Sequence, residues 1–341
     1  MRITNEMIAD NLQFVMSQNL NNLNSSFMRM STERKFQRAS DDPADALKTM
    51  QSLHSVSDID QYNDCISEAK SWEQNTESTL NVINQVIKSA QETVTAANGS
   101  NNTGDNGINA TKLEGLQDEL IQTLNSNFNG RYVFGCSQSG PAPFKVGTAA
   151  DGASNVGKLM FYDYNASTPG YIPFSSINTG NAAGKELTLP IDIGLGMKVD
   201  ASGKVVADTA LDAQTSSVKT LALNMDASGS TDLFDVIGGA VKKLRSSSGR
   251  VDLSTEIQQT QDAQSKVLKS ITDIGQKTNM LDFMSDKITS DNLNQQSRLS
   301  GLEGVDMEQA IMSFQMQQMV YNASLSVGAK IIQPSLVDFL K

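Results

Sequence analysis

Residues 39–62 read ASDDPADALKTMQSLHSVSDIDQY, and they predict the start of a very long helix. Asp42 is placed to cap it, Pro43 suits the first helical position, and Asp45 favours the positive helix end. Neither glycine nor proline follows until Asn98-Gly99, a typical helix stop. Such a helix spans roughly 80 Å and predicts a rod-like bundle. An acidic pair also suggests a metal site, but capping accounts for all these residues.

Apolar residues recur at helical spacing through this stretch, among them Leu47, Met50, Ile59, Ile66, Leu80, Ile83, Ile87 and Val94. The Asn- and Gly-rich residues 99–107 lack the ligand spacing of a calcium loop and are predicted to form a turn. A further amphipathic helix follows, with Leu113, Leu116, Leu120 and Leu124 on one face. The first 130 residues are therefore predicted to be almost entirely helical.

The N-terminal segment, about residues 5–35, is also predicted to be helical. Its apolar residues are spaced 4, 3, 4, 3 and form a narrow seam of coiled-coil type: Met16, Leu20, Leu23, Phe27 and Met30. Such a seam has nothing to pack against by itself. We therefore expect this segment to be poorly ordered in a free monomer.

The C-terminal segment shows the same alternating spacing of three and four residues. Asp306 is placed to cap a helix in which Ile311, Phe314, Gln318, Tyr321, Leu325, Gly328 and Ile332 recur every three or four residues, and apolar Leu336 and Phe339 follow. An ordinary core helix is the alternative. Because both chain ends carry narrow seams, we predict that they pair with each other and with neighbouring subunits. The predicted interface comprises Met16, Leu20, Leu23, Phe27, Met30, Ile311, Phe314, Tyr321, Leu325, Ile332, Leu336 and Phe339.

The residue pattern of the sequence changes after Phe128-Asn129-Gly130. Short apolar runs such as 158–162 and 187–191 alternate with turn signals, and 200–204 resembles a hairpin loop. One aromatic group, Tyr162, Tyr164, Tyr171 and Phe174, is interpreted as a small core. Helices are predicted to resume near Asp232 and again over about 252–298, the latter antiparallel to the helix after Pro43.

The predicted fold class is mainly α: an elongated long-helix bundle with paired terminal helices and an inserted small β-rich domain. Five segments follow. Residues 1–40 and 301–341 are assembly helices, disordered in the monomer; 41–130 and 229–300 are the two halves of the bundle; 131–228 is the insert.

Composition excludes several functional classes. The net charge of −11 over 341 residues disfavours nucleic acid and anionic membranes, which attract clustered Lys and Arg. The single histidine, His54, and two distant cysteines, Cys65 and Cys136, offer no zinc site or Ser-His-Asp triad. HExxH, P-loop and nucleophile-elbow motifs are absent. We expect no enzyme activity, metal or cofactor.

The N-terminus lacks the apolar region of a secretory signal, and no apolar run approaches a membrane span.

Residues that carry a family resemblance are Met1-Arg2-Ile3-Thr4, the element 39–43, Ala96-Ala97-Asn98-Gly99 and Phe128-Asn129-Gly130. They resemble the N-terminal half of the flagellin superfamily.

Residues 130–135 (GRYVFG), Pro143-Phe144 and the ending 335–340 (SLVDFL) resemble the hook-associated branch of that superfamily. Two departures stand out. Glu33 occupies a position where the family usually has glycine, and 90–92 (AQE) replace the Arg-Glu-Leu typical of filament flagellins.

The resemblance implies unfolded export through the flagellar type III channel with an export chaperone. It implies an extracellular position at the hook–filament junction, between hook-associated protein 1 and flagellin, with copies of the chain forming a ring or helical layer. Alternatives are a flagellin that forms the filament itself, and a secreted binding or adhesin module carried by the insert. Under the assembly hypothesis, Leu325→Asp is expected to block assembly and spare the helical core.

Overall fold

The computed structural model of the chain describes residues 5–99, 103–134, 140–151, 153–163, 169–174, 190–191, 211–212, 232–246 and 249–338. Over these residues it contains the helices α1 (Asn5–Thr32), α2 (Pro43–Ala97), α3 (Thr103–Leu124), α4 (Leu233–Ser246), α5 (Ser254–Glu303) and α6 (Met307–Asp338). The strands are β1 (Asn127–Phe128), β2 (Arg131–Tyr132), β3 (Phe144–Val146), β4 (Leu159–Asp163), β5 (Gly170–Pro173), β6 (Pro190–Ile191) and β7 (Leu211–Asp212). The mainly helical fold class with a small antiparallel β region is confirmed.

Contacts divide the chain into two units. One comprises Met1–Asp60 with Thr289–Lys341, and the other comprises Gln61–Ile288. The first unit therefore contains α1, α6, the start of α2 and the end of α5. The second contains the rest of α2 and α5, with α3, α4 and the β strands between them.

The second unit has the main hydrophobic core. Ile83, Ile87, Leu113 and Leu120 are fully buried, and the core extends through α4 and along α5 to Ile274. Within this unit α2 and α5 run antiparallel, because Lys70 binds Asp282 at 2.6 Å while Asn98 Oδ1 accepts a hydrogen bond from the Leu253 amide at 3.0 Å. The antiparallel arrangement predicted for these long helices is thus observed here.

The predicted turn over 99–107 is wrong in extent, since α3 already begins at Thr103. Gly104 and Gly107 are helical, although glycine costs about 1 kcal/mol in a helix interior. Asn106 is fully buried, and its side-chain Nδ2 lies 3.5 Å from the Gly249 carbonyl oxygen. Tertiary packing of Asn106 thus outweighs the low helix propensity of its glycine neighbours.

The insert begins with a sheet of order β3-β4-β5, antiparallel throughout. The predicted strand at 158–162 corresponds to β4. Phe144 packs against the rings of Phe161 at 5.4 Å and Phe174 at 6.0 Å, forming a small aromatic core. The Tyr162 and Tyr171 rings lie 5.0 Å apart, edge to face.

Other predictions for the insert and the cysteines fall outside what the structure describes. The hairpin loop at 200–204, Tyr164 and Cys136 lie outside the described residues, and only 190–191 of the predicted strand 187–191 lie within them. Cys65 is partly buried on α2. The side chain of His54 is exposed on the same helix, with Nδ1 3.3 Å from an Asp58 carboxylate oxygen, as a helix-surface histidine should be.

Candidate assembly interface

The two terminal helices, α1 and α6, pack against each other within the first unit. Three contacts define the pairing: Leu12 lies beside Gly328, Asn19 hydrogen-bonds Ser324, and the Phe27 and Phe314 rings are 5.9 Å apart. Residue numbers rise along α1 as they fall along α6. The pair is therefore antiparallel.

The facing sides of the two helices are narrow and only partly apolar. On α1 the less exposed positions are Leu12, Met16, Asn19, Leu23, Ser26 and Met30. On α6 they are Ala310, Phe314, Gln317, Tyr321, Ser324 and Gly328. Both sets are spaced 4, 3, 4, 3, 4, which is the spacing of a coiled-coil seam. Half of these side chains are small or polar, so the seam buries little apolar surface.

The structure separates the predicted interface residues into two groups. Met16, Leu23, Met30, Phe314 and Tyr321 lie on the facing sides. Leu20, Phe27, Ile311 and Leu325 are exposed beside the seam; half of Leu20 is accessible to solvent, at 50%. The side chains of Ile332 and Leu336 on α6 are not described, and Phe339 lies outside the described residues.

Sequence reasoning missed the polar members of the seam. Asn19, Ser26, Gln317 and Ser324 have heptad spacing, but the search for apolar periodicity passed over them in favour of Leu20, Phe27 and Gln318. Position in the heptad was the available signal, because Asn19 and Ser26 lie seven residues apart and so do Gln317 and Ser324.

The outer side of α6 carries a second apolar surface, which we call the outer stripe: Met312, Met316, Met319, Val320 and Val327. All five residues are exposed, and Met316 is 60% accessible to solvent. The spacing of Met312, Met316 and Met319 places them on the side of the helix that faces away from α1. On α1, Met7 and Phe14 are likewise exposed, one heptad apart.

A short backbone turn supports the base of the helix pair. The Lys35 amide donates to the Glu303 carbonyl at 2.7 Å, and the Val305 amide donates to the Glu33 carbonyl at 3.1 Å. The Arg34 guanidinium lies 3.4 Å from the Glu303 carboxylate. This pairing ties the end of α1 to the α5–α6 connection, so both terminal helices leave from one fixed point.

The residues before α2 have the geometry of a helix cap. Asp42 Oδ1 accepts a hydrogen bond from the Asp45 amide at 3.2 Å, and α2 begins at Pro43. Hydrogen bonds from Lys48 and Lys35 lower the pKa of Asp45. At the other end of the chain, Asp306 Oδ1 accepts hydrogen bonds from the Glu308 amide at 3.0 Å and the Gln309 amide at 3.3 Å. Short acidic side chains therefore fix where both helices begin.

The part of the chain that the structure describes contains no group of three or more His, Cys, Asp or Glu able to hold a metal ion. Among these same residues, none of the helices combines the length and the apolar character of a membrane span.

Comparison with known proteins shows which proteins this chain is similar to. Residues 3–139 match the bacterial flagellin N-terminal helical region. A structure of a flagellar hook-associated protein from Vibrio parahaemolyticus has a TM-score of 0.55 and 19% identity, covering 77% of this chain and 100% of that chain, which shows a shared fold. The described residues therefore have a flagellin-like helical fold, and residues 3–139 resemble the flagellin N-terminal region in sequence.

Two curated relatives are similar to the chain in sequence, and they carry the same name. The chain is 26% identical over 310 residues to flagellar hook-associated protein 3 of Escherichia coli (strain K12), covering 87% of this chain and 86% of that protein. It is 32% identical over 122 residues to flagellar hook-associated protein 3 of Salmonella typhimurium, covering 35% of this chain and 38% of that protein. The chain is therefore similar in sequence to flagellar hook-associated protein 3 from two bacteria.

Proposed function

We propose that this chain is a structural adaptor that joins the flagellar hook to the flagellin filament. The alignment with flagellar hook-associated protein 3 is the observation that carries the proposal, because it covers 87% of this chain and 86% of that protein. Hook-associated protein 1 is the proposed partner on the hook side, and flagellin on the filament side. The proposed location is extracellular, after type III export with a chaperone.

The terminal helix pair supports a role in assembly. Its inner seam is used within the chain, whereas the outer stripe of α6 and the exposed Phe14 on α1 leave apolar surface for other subunits. Methionine side chains adapt to differently shaped partners, which suits an adaptor between unlike neighbours. If these surfaces bind different surfaces on the next copy, the contacts are head-to-tail, and such contacts build a ring or a helical layer of copies.

The weak inner seam fits export in an unfolded state. Asn19, Ser26, Gln317 and Ser324 occupy four of the twelve facing positions, which in a stable coiled coil would be apolar. We therefore propose that residues 1–40 and 301–341 order fully only on joining the flagellum, when the outer surfaces are also buried.

A deletion strain tests the proposal directly. Electron microscopy is combined with an assay of flagellin in the growth medium. Hooks without filaments, together with flagellin shed as monomer, are the expected result, and intact filaments would contradict it. Restoring the full chain from a plasmid controls for effects on neighbouring genes.

The match to the flagellin N-terminal region also supports a second candidate, a flagellin that forms the filament itself. The same experiment separates the two. Loss of this chain would then leave capped hooks and no flagellin in the medium. Purified chain would also polymerise into long filaments, which an adaptor is not expected to do.

A further inference from the structure

One hydrogen bond joins side chains across the seam between α1 and α6. The Asn19 amide Nδ2 donates to Ser324 Oγ at 2.7 Å, between residues 305 positions apart in the chain. Ser324 Oγ in turn donates to the Val320 carbonyl oxygen at 2.8 Å, which fixes its orientation. Both side chains are partly buried in the seam. A hydrogen-bonded polar pair in such a seam is a known way to specify the register of two helices.

The other contacts along the seam do not define the register alone. If α6 slid by one heptad, Phe27 would meet Tyr321 in place of Phe314, and Leu12 would meet Ser335 in place of Gly328. An aromatic partner and a small partner would thus be kept. Met16 and Met30 have flexible side chains that tolerate such a shift.

Asn19 is the position where that slide has a clear cost. In the shifted register it would lie beside Ile331, which offers no side-chain hydrogen-bond acceptor. A partly buried amide that loses its partner is unfavourable. A slide in the opposite direction would place Phe27 beside Met307 and Leu12 beside Tyr321, so it would lose both the aromatic and the small partner. The observed register is therefore distinguished at Asn19 from the heptad slide that keeps both.

We propose that the Asn19–Ser324 hydrogen bond selects the register in which α1 pairs with α6. The register also sets how the outer stripe of α6 lines up with Phe14 and Met7 on α1. A slide of one heptad displaces these surfaces by about 10 Å along the helix axis. Asn19 and Ser324 are thus positioning residues for the surfaces that face other subunits.

Disulfide trapping in the full-length chain tests the proposal, in a Cys65→Ser, Cys136→Ser background. Phe27→Cys with Phe314→Cys reports the observed register, and Phe27→Cys with Tyr321→Cys reports the shifted one. With Asn19 and Ser324 intact, the first pair should form nearly all the disulfide. Adding Asn19→Leu with Ser324→Leu should lower the ratio of observed to shifted disulfide roughly threefold to tenfold.

Ser26→Leu is the matched control, because it makes the same kind of polar-to-apolar change in the seam and leaves the Asn19–Ser324 bond in place. Its disulfide ratio should stay that of the unchanged seam. Helical content measured by circular dichroism confirms that each variant remains folded.

An unchanged ratio in the Leu–Leu variant would overturn the proposal. So would shifted disulfide with Asn19 and Ser324 intact. Transient pairing of α1 with α6 in the free chain is enough for a disulfide to trap it. Because the experiment uses purified chain without hook or filament, its result is independent of the junction role, which the deletion strain tests separately.

Discussion

The Glu33 carbonyl accepts a 3.1 Å hydrogen bond from the Val305 amide, while Glu33 itself holds a φ of +57°. This left-handed conformation is one that residues with a Cβ adopt at a cost. The turn tolerates it because Arg34 pairs with Gly304 as an isolated β-bridge and holds the backbone in place. Glu33 is one of the two departures from the flagellin resemblance, and it holds a backbone conformation that glycine adopts without strain.

We expect Glu33→Gly to stabilise the chain by about 0.5–1 kcal/mol. Glycine adopts this φ without strain, although part of the gain is offset by its greater freedom in the unfolded chain. Urea unfolding monitored by circular dichroism measures the change. Glu33→Ala is the control, since it removes the carboxylate and keeps the Cβ; equal stabilisation by both variants would show that charge, not backbone strain, is responsible.

Gly147→Ala should disrupt the insert. A Cβ at this position would lie 2.0 Å from the Asn155 carbonyl oxygen, and the Gly147 amide already donates to the Lys158 carbonyl at 2.8 Å. The loop between β3 and β4 must therefore move, at an expected cost of about 1–3 kcal/mol. Hydrogen exchange over residues 144–163 should accelerate.

Gly115→Ala serves as the control for that experiment. Gly115 lies in α3, and a Cβ there would meet no atom within 4 Å. Exchange in the insert should remain unchanged in this variant. Equal acceleration in both variants would contradict a local role for Gly147.

Asp232 makes stability depend on pH. It caps α4 by accepting a 2.8 Å hydrogen bond from the Asp235 amide, yet it is only 1% exposed. Burial, followed by the nearby charge of Asp235, raises the pKa of Asp232 from 3.8 to about 7. Because the folded pKa exceeds the unfolded one, this group's contribution to stability is complete below about pH 4 and is lost as the pH rises through 7.

Asp232→Asn keeps a good helix cap and removes this titration. We expect the free energy of unfolding of the unchanged chain to fall relative to the Asn variant between pH 5 and 8, measured by urea unfolding at several pH values. Asp252→Asn is the control, since hydrogen bonds from Ser254 lower the pKa of Asp252 and confine its effect to more acidic solutions. If the free energies of unfolding of the unchanged chain and of Asp232→Asn differ by a constant amount between pH 5 and 8, the prediction is contradicted.

Met316→Asp should block assembly and leave the fold of the chain intact. Met316 lies in the outer stripe, so a carboxylate there is solvated in the free chain but would be buried against a neighbouring subunit. The same is expected of Leu325→Asp, whose side chain is 41% exposed beside the seam. Flagellin shed into the medium by cells that express each variant measures the defect.

Met316→Leu is the matched control, because it keeps an apolar side chain of similar volume at the same exposed position. It should leave filaments attached. Loss of thermal stability by several kcal/mol in Met316→Asp or Leu325→Asp would instead mark these residues as part of the chain's own core.

Local signals in the sequence predicted much of the helical framework. Proline at position 43 and Asn98-Gly99 bound α2 to within a residue of its observed ends, and Asp306 lies directly before α6 as its cap. These signals are readable because caps and stops act over a few neighbouring residues. The predicted turn at 99–107 failed where a distant contact, between Asn106 and Gly249, influenced the local structure.

The sequence by itself determined that both chain ends are helices with heptad-spaced apolar residues, since side-chain spacing directly sets the faces of a helix. Only the tertiary structure decided which face of each helix is used inside the chain. By their spacing, Leu20 and Phe27 would fit a coiled-coil seam as well as Asn19 and Ser26 do, and they are more apolar. The choice depends on what α6 presents nearly 300 residues later: Ser324 gives Asn19 a hydrogen-bond partner, and Gly328 leaves room for Leu12. A pairing preference of this kind belongs to two helices together, and neither one's sequence contains it alone.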